Sequence, residues 1–445
     1  MKKFPKRREI DIEEFKKEVP ETAAYGLPVD VKFCTKCIIS NQRPNSAVEF
    51  EHTKETKKET INFNSDGVCD ACIVKESKVG TIDWDEREKE LKELCDKHRS
   101  KDGSYDCLVP GSGGKDSFYQ THILKYKYGM NPLTVTWAPN IYTDWGWKNF
   151  QSWIHSGFDN FLCTPNGKTE RILTRLAVEN LFHPFQPFMM GQKYLGPRMA
   201  AMYKIPLVFY GEDEAEYGNP IEDTRSAERD FSYFSASDKS KINIAGTSIK
   251  DLNDFFDISI GDLHQYMPVN PDIIKKQKIQ VHYLGYYLKW HPQSCYYYAV
   301  EHGGFKASPE RTAGTYSKYN SIDDKIDDFH FHTYYTKFGI GRATYDAAQE
   351  IRSGDITREE GQALVRKFDG EFPERFADEI FNYLSLPENE FPIASRMFEE
   401  PIVNRDYYDN LCDSFRSPHI WKYVPSKNEN DGRWVLRHGV WDGED

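Results

Sequence analysis

Two groups of residues in this chain have types and spacings that could do chemistry. The first is the stretch Cys107 to Tyr119, CLVPGSGGKDSFY, where an apolar run opens into Gly111, Ser112, Gly113 and Gly114 and then into Lys115, Asp116 and Ser117. A strand that ends in bare backbone N–H groups and passes directly into a helix makes a cradle for an anion, because those dipoles and the helix N-terminus point at the same place. The order of residues fits neither G-x-x-x-x-G-K-[ST] nor G-x-G-x-x-G, which excludes a Walker loop and a dinucleotide fingerprint. The second group is Cys34-Thr-Lys-Cys37 with Cys69-Asp-Ala-Cys72. Two such knuckles supply four thiolates that can close tetrahedrally on Zn²⁺, and four protein ligands leave no open position, so the expected metal is structural. A redox role is disfavoured because neither pair is expected to open a helix that follows a strand. The insert between the pairs, EFEHTKETKKETINFNSDG, reads as an exposed loop or hairpin with solvated charges.

Composition limits what these groups can serve. At 445 residues the chain is long enough for two or three domains, each with a real core. The formal charge of −12 disfavours a broad phosphate-binding surface for nucleic acid, yet leaves room for a small anionic ligand held by local charge. The nine cysteines, an odd number, argue against a disulfide framework. No long apolar window and no signal-peptide core are present, so the expectation is a soluble, cytoplasmic protein without membrane contact.

The elements that position the two groups follow from periodicity. Residues 81–100 read as an amphipathic helix. From residue 105 short apolar runs (YDCLVP, PLTVTWA, FDNFLCT, IPLVFYGED) alternate with helical stretches, which predicts an α/β fold with a parallel sheet covered by helices on both faces. The glycine loop leads into a helix expected to begin near Ser117. From about residue 265 strands fade, and segments such as QVHYLGYYLKWHPQSCYYYAVEHGG read as helices. The expected organisation is a cysteine-bearing N-terminal segment over 1–100, an α/β domain over 101–264 and a mostly helical region over 265–445.

The S-G-G-x-D-S core of the loop resembles the PP-loop of the ATP pyrophosphatases, which cleave ATP between the α and β phosphates and transfer AMP to a carbonyl oxygen. That resemblance implies a PP-loop, HUP-like domain in which Ser112, Gly113, Gly114 and Ser117 hold pyrophosphate, Lys115 adds charge and Asp116 helps place Mg²⁺. Beyond the loop, the cysteine pairs, LTVTWAPNIYTDWGWKN, PFQPFMMGQ, VFYGEDEAEYGN, ERTAGTYSKYNSIDDKIDDFHF and KFGIGRATYDAAQEIRSGDITREEG together resemble the N-acetyl sugar amidotransferase family of surface-polysaccharide (LPS, O-antigen) biosynthesis. The resemblance covers most of residues 33–375. It implies that ATP activates the acetamido oxygen of a nucleotide-linked N-acetyl sugar and that ammonia replaces it, giving an acetamidino sugar. The chain shows no cysteine in a glutaminase context, so the implied partner is a separate glutaminase, with a barrel protein as a further ammonia conduit.

Further candidates lie beyond the loop. Glu212, Asp213 and Glu216 follow an apolar run as the ends of parallel strands do, where they could hold Mg²⁺ or sugar hydroxyls. Asp323, Asp324, Lys325 and Arg342 form a second cluster. By resemblance to related synthetases, Lys325 is the lysine expected to reach the phosphates, with Arg342 beyond it and Asp324 toward the substrate. His330 and His332 read as packed histidines. A second function, PP-loop tRNA thiolation, is opposed by the acidic balance and by the absence of a basic, aromatic-interleaved stretch.

Overall fold

The apolar runs from residue 105 onward pair as one sheet in the computed structural model, which describes residue 4 and residues 9–212, 214–426 and 432–442. Strands β1 (Cys107–Pro110), β2 (Pro132–Trp137), β3 (Asp159–Cys163), β4 (Leu207–Tyr210) and β5 (Gln280–Tyr283) lie in the order β3-β2-β1-β4-β5, every neighbour parallel. Strands covered on both faces favour continuous apolar runs over alternation, as in β1, β2 and β4, whereas the edge strand β3 is largely exposed. On one face Leu108, Leu133, Val135, Val208 and Val281 share a core; on the other, Cys107, Val109, Leu207 and Phe209 do.

Helices α1 (Asp70–Gly80) and α2 (Trp84–His98) precede the sheet, and α3 (Lys115–Tyr126), α4 (Asp144–His155), α5 (Gly167–Leu181) and α6 (Gln186–Tyr203) connect its first four strands. Leu173, Leu176, Tyr194 and Leu195 bring α5 and α6 onto the first face. Leu91, Cys95, Ile123 and Leu124 bring α2 and α3 onto the other. Helix α3 begins at Lys115, two residues earlier than Ser117, because Gly114 takes the extended N-cap conformation.

One predicted helix is a strand. Residues 280–283 carry β-branched and aromatic side chains that pair with β4, Val281 beside Val208 and Tyr283 beside Tyr210; a single helical turn, Leu284–Tyr287, follows, and the longer helix begins at Pro292 as α7 (Pro292–Gly303). The tyrosine-rich composition of the stretch conceals this switch of period. The remainder is largely helical: α8 (Ile326–Phe338), α9 (Arg342–Ser353), α10 (Arg358–Phe368), α11 (Ala377–Leu384) and α12 (Arg405–Phe415), then a hairpin of β6 (Trp421–Pro425) and β7 (Gly432–Leu436). These helices pack back onto the rest of the molecule. Ile326, Phe329, Ile380 and Tyr408 share a core with Val178 and Phe182, and Ile340, Ala347 and Val365 pack around the four cysteines. No described helix is long and apolar enough to cross a membrane.

Candidate active site

The sheet grows from β1 outward through β2 to β3, then restarts on the other side of β1 with β4 and β5. The loops leaving β1 and β4 therefore part in opposite directions and open a crevice at the carboxyl ends of those strands, the usual ligand position in such sheets. The glycine loop and Glu212 both border it.

Local sterics explain the glycines. Gly113 has φ of +87°, and a Cβ there would stand 2.6 Å from Phe150 Cα; a Cβ on Gly111 would stand 2.3 Å from Ser117 Cβ. Gly111 and Gly113 are thus pressed against α3 and α4 with no room for side chains. Gly114 caps α3 without a side-chain acceptor, so the first N–H groups of the helix stay available for a ligand. The Ser117 hydroxyl accepts from Gly113 N at 3.2 Å and donates to Gly114 O at 3.0 Å, which commits it to holding the loop's shape.

A cavity of about 590 Å³ lies against this loop. Ser112, Gly114, Lys115, Asp116 and Ser117 form one wall, Glu212 and Glu216 a second, and Asp323, Asp327 and Arg342 a third from the C-terminal helices. Backbone pairing places that third wall: Thr143 N donates to Asp323 O at 3.0 Å and Lys325 N to Ile141 O at 2.9 Å. The close approach needs Gly146, where a Cβ would meet Asp323 Cα at 2.6 Å. Asp324 and Lys325 do not line the cavity. The Asp324 carboxylate accepts from the backbone N–H groups of Asn140 (2.6 Å), Ile141 (3.3 Å) and Ile326 (3.0 Å), so it fastens the C-terminal segment to the loop after β2. Lys325 Nζ lies 2.6 Å from Glu379 Oε2, whereas Asp323 lines the cavity. Arg342 does reach the cavity, its Nε 3.0 Å from Asp346 Oδ1.

The charges at the loop end of the cavity are unbalanced. Lys115 is buried and ion-paired with Asp116 Oδ2, while Asp116 Oδ1 is buried without a hydrogen-bond partner. Burial, reinforced by the Asp116 charge and opposed by Lys115, pushes the Glu212 carboxyl up to about 8. Burial also raises Asp323, against the pull of Ser112 and Lys115, and raises Asp327 well above its ordinary range. Oxygen donors in such surplus suit a hard divalent cation such as Mg²⁺. Among the described residues only the four cysteines already form a closed metal-sized group, so the carboxylates fit an ion that arrives with phosphates and water. Glu216 is already engaged, its carboxylate 3.2 Å from Lys78 Nζ, which also holds Glu214 at 2.7 Å. Asp213 lies outside the described residues.

The cysteine group assembles as its spacing predicts. Cys34, Cys37, Cys69 and Cys72 are buried with their sulfurs all within 4.8 Å of one another, Cys34 to Cys72 at 3.8 Å and Cys37 to Cys69 at 3.7 Å. Four Zn–S bonds of about 2.3 Å in a tetrahedron require edges of about 3.8 Å, so the group can hold zinc. Lys36 N and Cys69 N donate to Cys34 Sγ at 3.4 and 3.3 Å. Cys69 caps α1, so the second pair opens a helix, but that helix follows no strand of the sheet, and the strand-to-helix setting of a redox pair is absent there. The insert between the pairs is not simply an exposed loop either. Glu49 and His52 are buried, and Glu49, His52 and Lys58 line the cavity. His330 lines it too, stacked on His183 with ring centroids 4.9 Å apart, whereas His332 is packed as expected, 2.9 Å from Tyr408 Oη.

Residues 313–434 match the family model described as "LPS biosynthesis protein WbpG-like, C-terminal domain". This region resembles an LPS-biosynthesis domain. It contains Asp323, Asp327, His330 and Arg342, the third wall of the cavity, so the match and the site coincide there. An uncharacterized protein of Methanocaldococcus jannaschii is 33% identical over 84 residues, 19% of this chain. The chain spans 29% of that relative's length.

Proposed function

We propose that this protein is an AMP-forming, ATP-dependent amidotransferase of LPS or O-antigen biosynthesis, converting the acetamido group of a nucleotide-linked N-acetyl sugar into an acetamidino group. The observation that carries the reading is Asp116: one carboxylate oxygen buried without a partner, beside a glycine-rich loop at a helix N-terminus, in the crevice where the strand order reverses. The WbpG-like match over the third wall supports the biosynthetic setting.

In this mechanism the N–H groups of Ser112 and Gly114 and of the first turn of α3 bind the ATP phosphates, with Lys115 adding charge. Asp116, Glu212 and Asp323 would hold Mg²⁺, which neutralises charge on the leaving pyrophosphate. The acetamido oxygen attacks the α-phosphorus and pyrophosphate departs. Adenylation turns a poor leaving group into a good one, and ammonia then adds to the imidate carbon. AMP leaves with the former amide oxygen, and the carbon keeps the nitrogen as NH. Arg342, in place of Lys325, is the C-terminal cation positioned to stabilise charge on the adenylated species. The four cysteines hold a structural zinc, and ammonia comes from a separate glutaminase, directly or through a barrel protein.

Incubation of the isolated chain with ATP, Mg²⁺, UDP- or CMP-linked N-acetyl sugars and ammonium salt should give, by mass spectrometry, a sugar in which one oxygen is replaced by NH. Glutamine should not substitute for ammonium until a glutaminase is added. Turnover with glutamine alone would refute the division of labour, and thiolation of tRNA would refute the reading itself.

A further inference from the structure

The end of the cavity away from the glycine loop has the opposite electrical character. Lys58, His183, His330 and Lys337 line it, and Lys58, His183 and Lys337, with His52, also line an adjoining cavity of about 310 Å³. Those four residues therefore form the septum between the two spaces. Lys337 is only 6% exposed, yet its ammonium reaches one acceptor, Leu181 O at 2.6 Å, and otherwise faces the rings of Tyr25 and Phe338 at 4.9 and 5.0 Å. Lys58 Nζ lies 3.2 Å from His52 Nε2. Among the described residues neither lysine has a carboxylate partner. The nearby Glu49 is shared by Lys193 at 2.9 Å and His52 at 3.2 Å, and Glu179, on α5, is held by Arg175 and Tyr407.

A buried lysine without a counter-charge is costly to fold, and such residues concentrate where a ligand supplies the missing charge. We infer that Lys58 and Lys337 form an anion subsite for the diphosphate of the acceptor, which makes the acceptor a UDP-linked and not a CMP-linked sugar, at the far end of the cavity from the ATP loop. The inference rests on the proposed function for the acceptor's identity. The acidic end takes ATP with its metal, and the basic end takes a second phosphate group that the metal does not cover. Burial holds both amines below their ordinary range: for Lys58, Glu49 opposes the shift and Lys193 adds to it, and for Lys337, Lys58 adds to it. His183 and His330 are held neutral, chiefly by burial. An arriving anion opposes this shift and raises the affinity of the amines for protons.

UDP is the probe, titrated calorimetrically into protein saturated with Mg²⁺ and α,β-methylene-ATP so that the glycine loop is already filled. The wild type should bind UDP with proton uptake, read from heats in buffers of different ionisation enthalpy at mildly alkaline pH. Lys58→Met and Lys337→Met should each weaken UDP by about 10–100-fold, the value of one charge-assisted hydrogen bond, and diminish the uptake while leaving α,β-methylene-ATP binding unchanged. Lys58 is half-buried on a loop, so its variant decides the matter if Lys337→Met does not fold. Equal UDP affinity in variant and wild type, or a loss that falls on α,β-methylene-ATP instead, would overturn the subsite. A wild type that binds UDP but not the ATP analogue would instead defeat the proposed function.

Discussion

Asp116 and Glu212 show how far single residues carry the account. Asp116 shares one oxygen with Lys115 and leaves the other buried and unpaired, and its charge helps keep Glu212 protonated up to about pH 8. A group with a raised carboxyl pKa holds its proton in the folded state over a range where the unfolded chain has lost it. Glu212 therefore makes stability fall as pH rises from its ordinary carboxylate range toward 8. A cation takes the opposite side of that balance. Binding of Mg²⁺ with α,β-methylene-ATP near neutral pH should release a proton and strengthen as pH rises toward 8, and Glu212→Gln should abolish the release; an unchanged proton count would contradict the assignment. Asp116→Asn should lower ATP cleavage by about 10²–10³-fold, the scale of one lost preorganised electrostatic contact. The glycine loop was legible because its residues are consecutive. Lys58 and Lys337 were not, since they come from opposite ends of the chain and meet only in the fold. Lys325 was misplaced for a related reason: adjacent positions 323, 324 and 325 point in different directions, and only Asp323 faces the cavity.

At the scale of elements, the strand–helix alternation from 105 to 210 was readable because β1, β2 and β4 are short buried runs set between longer helical segments. Strand β5 was missed because it is four residues long and runs into an aromatic stretch with helical neighbours. The packing of α9 on the cysteine group was also invisible in the sequence, and it has a consequence. Arg352, near the end of α9, places Nη1 3.6 Å from Cys37 Sγ and Nη2 3.4 Å from Glu216 O, linking the metal group to the segment after β4. Groups that hydrogen-bond to metal ligands commonly contribute 10–100-fold to metal affinity. Arg352→Met should accelerate zinc loss to a chelator by about that factor, measured with a chromogenic reporter. Retention equal to wild type would show that the contact is only packing.

The whole molecule combines a metal-sized cysteine group, a parallel sheet and a helical region into one cavity that no single part could form. The sheet contributes the glycine loop and Glu212, the helical region Asp323, Asp327 and Arg342, and the insert between the cysteine pairs Lys58. That division explains why the loop and the cysteines are legible in the sequence and the insert is not: charges that look solvated in a linear segment become walls once α6 packs on the insert, as Gln186 and Lys193 do on Glu49. The central claim is that ATP is spent by transferring AMP to the amide oxygen of the acceptor. With acceptor carrying ¹⁸O in its acetamido group, the label should appear in the phosphate of AMP, alongside unlabelled pyrophosphate, in step with formation of the amidino sugar. Label remaining in the sugar or appearing in water, or ADP and phosphate as the products, would contradict it.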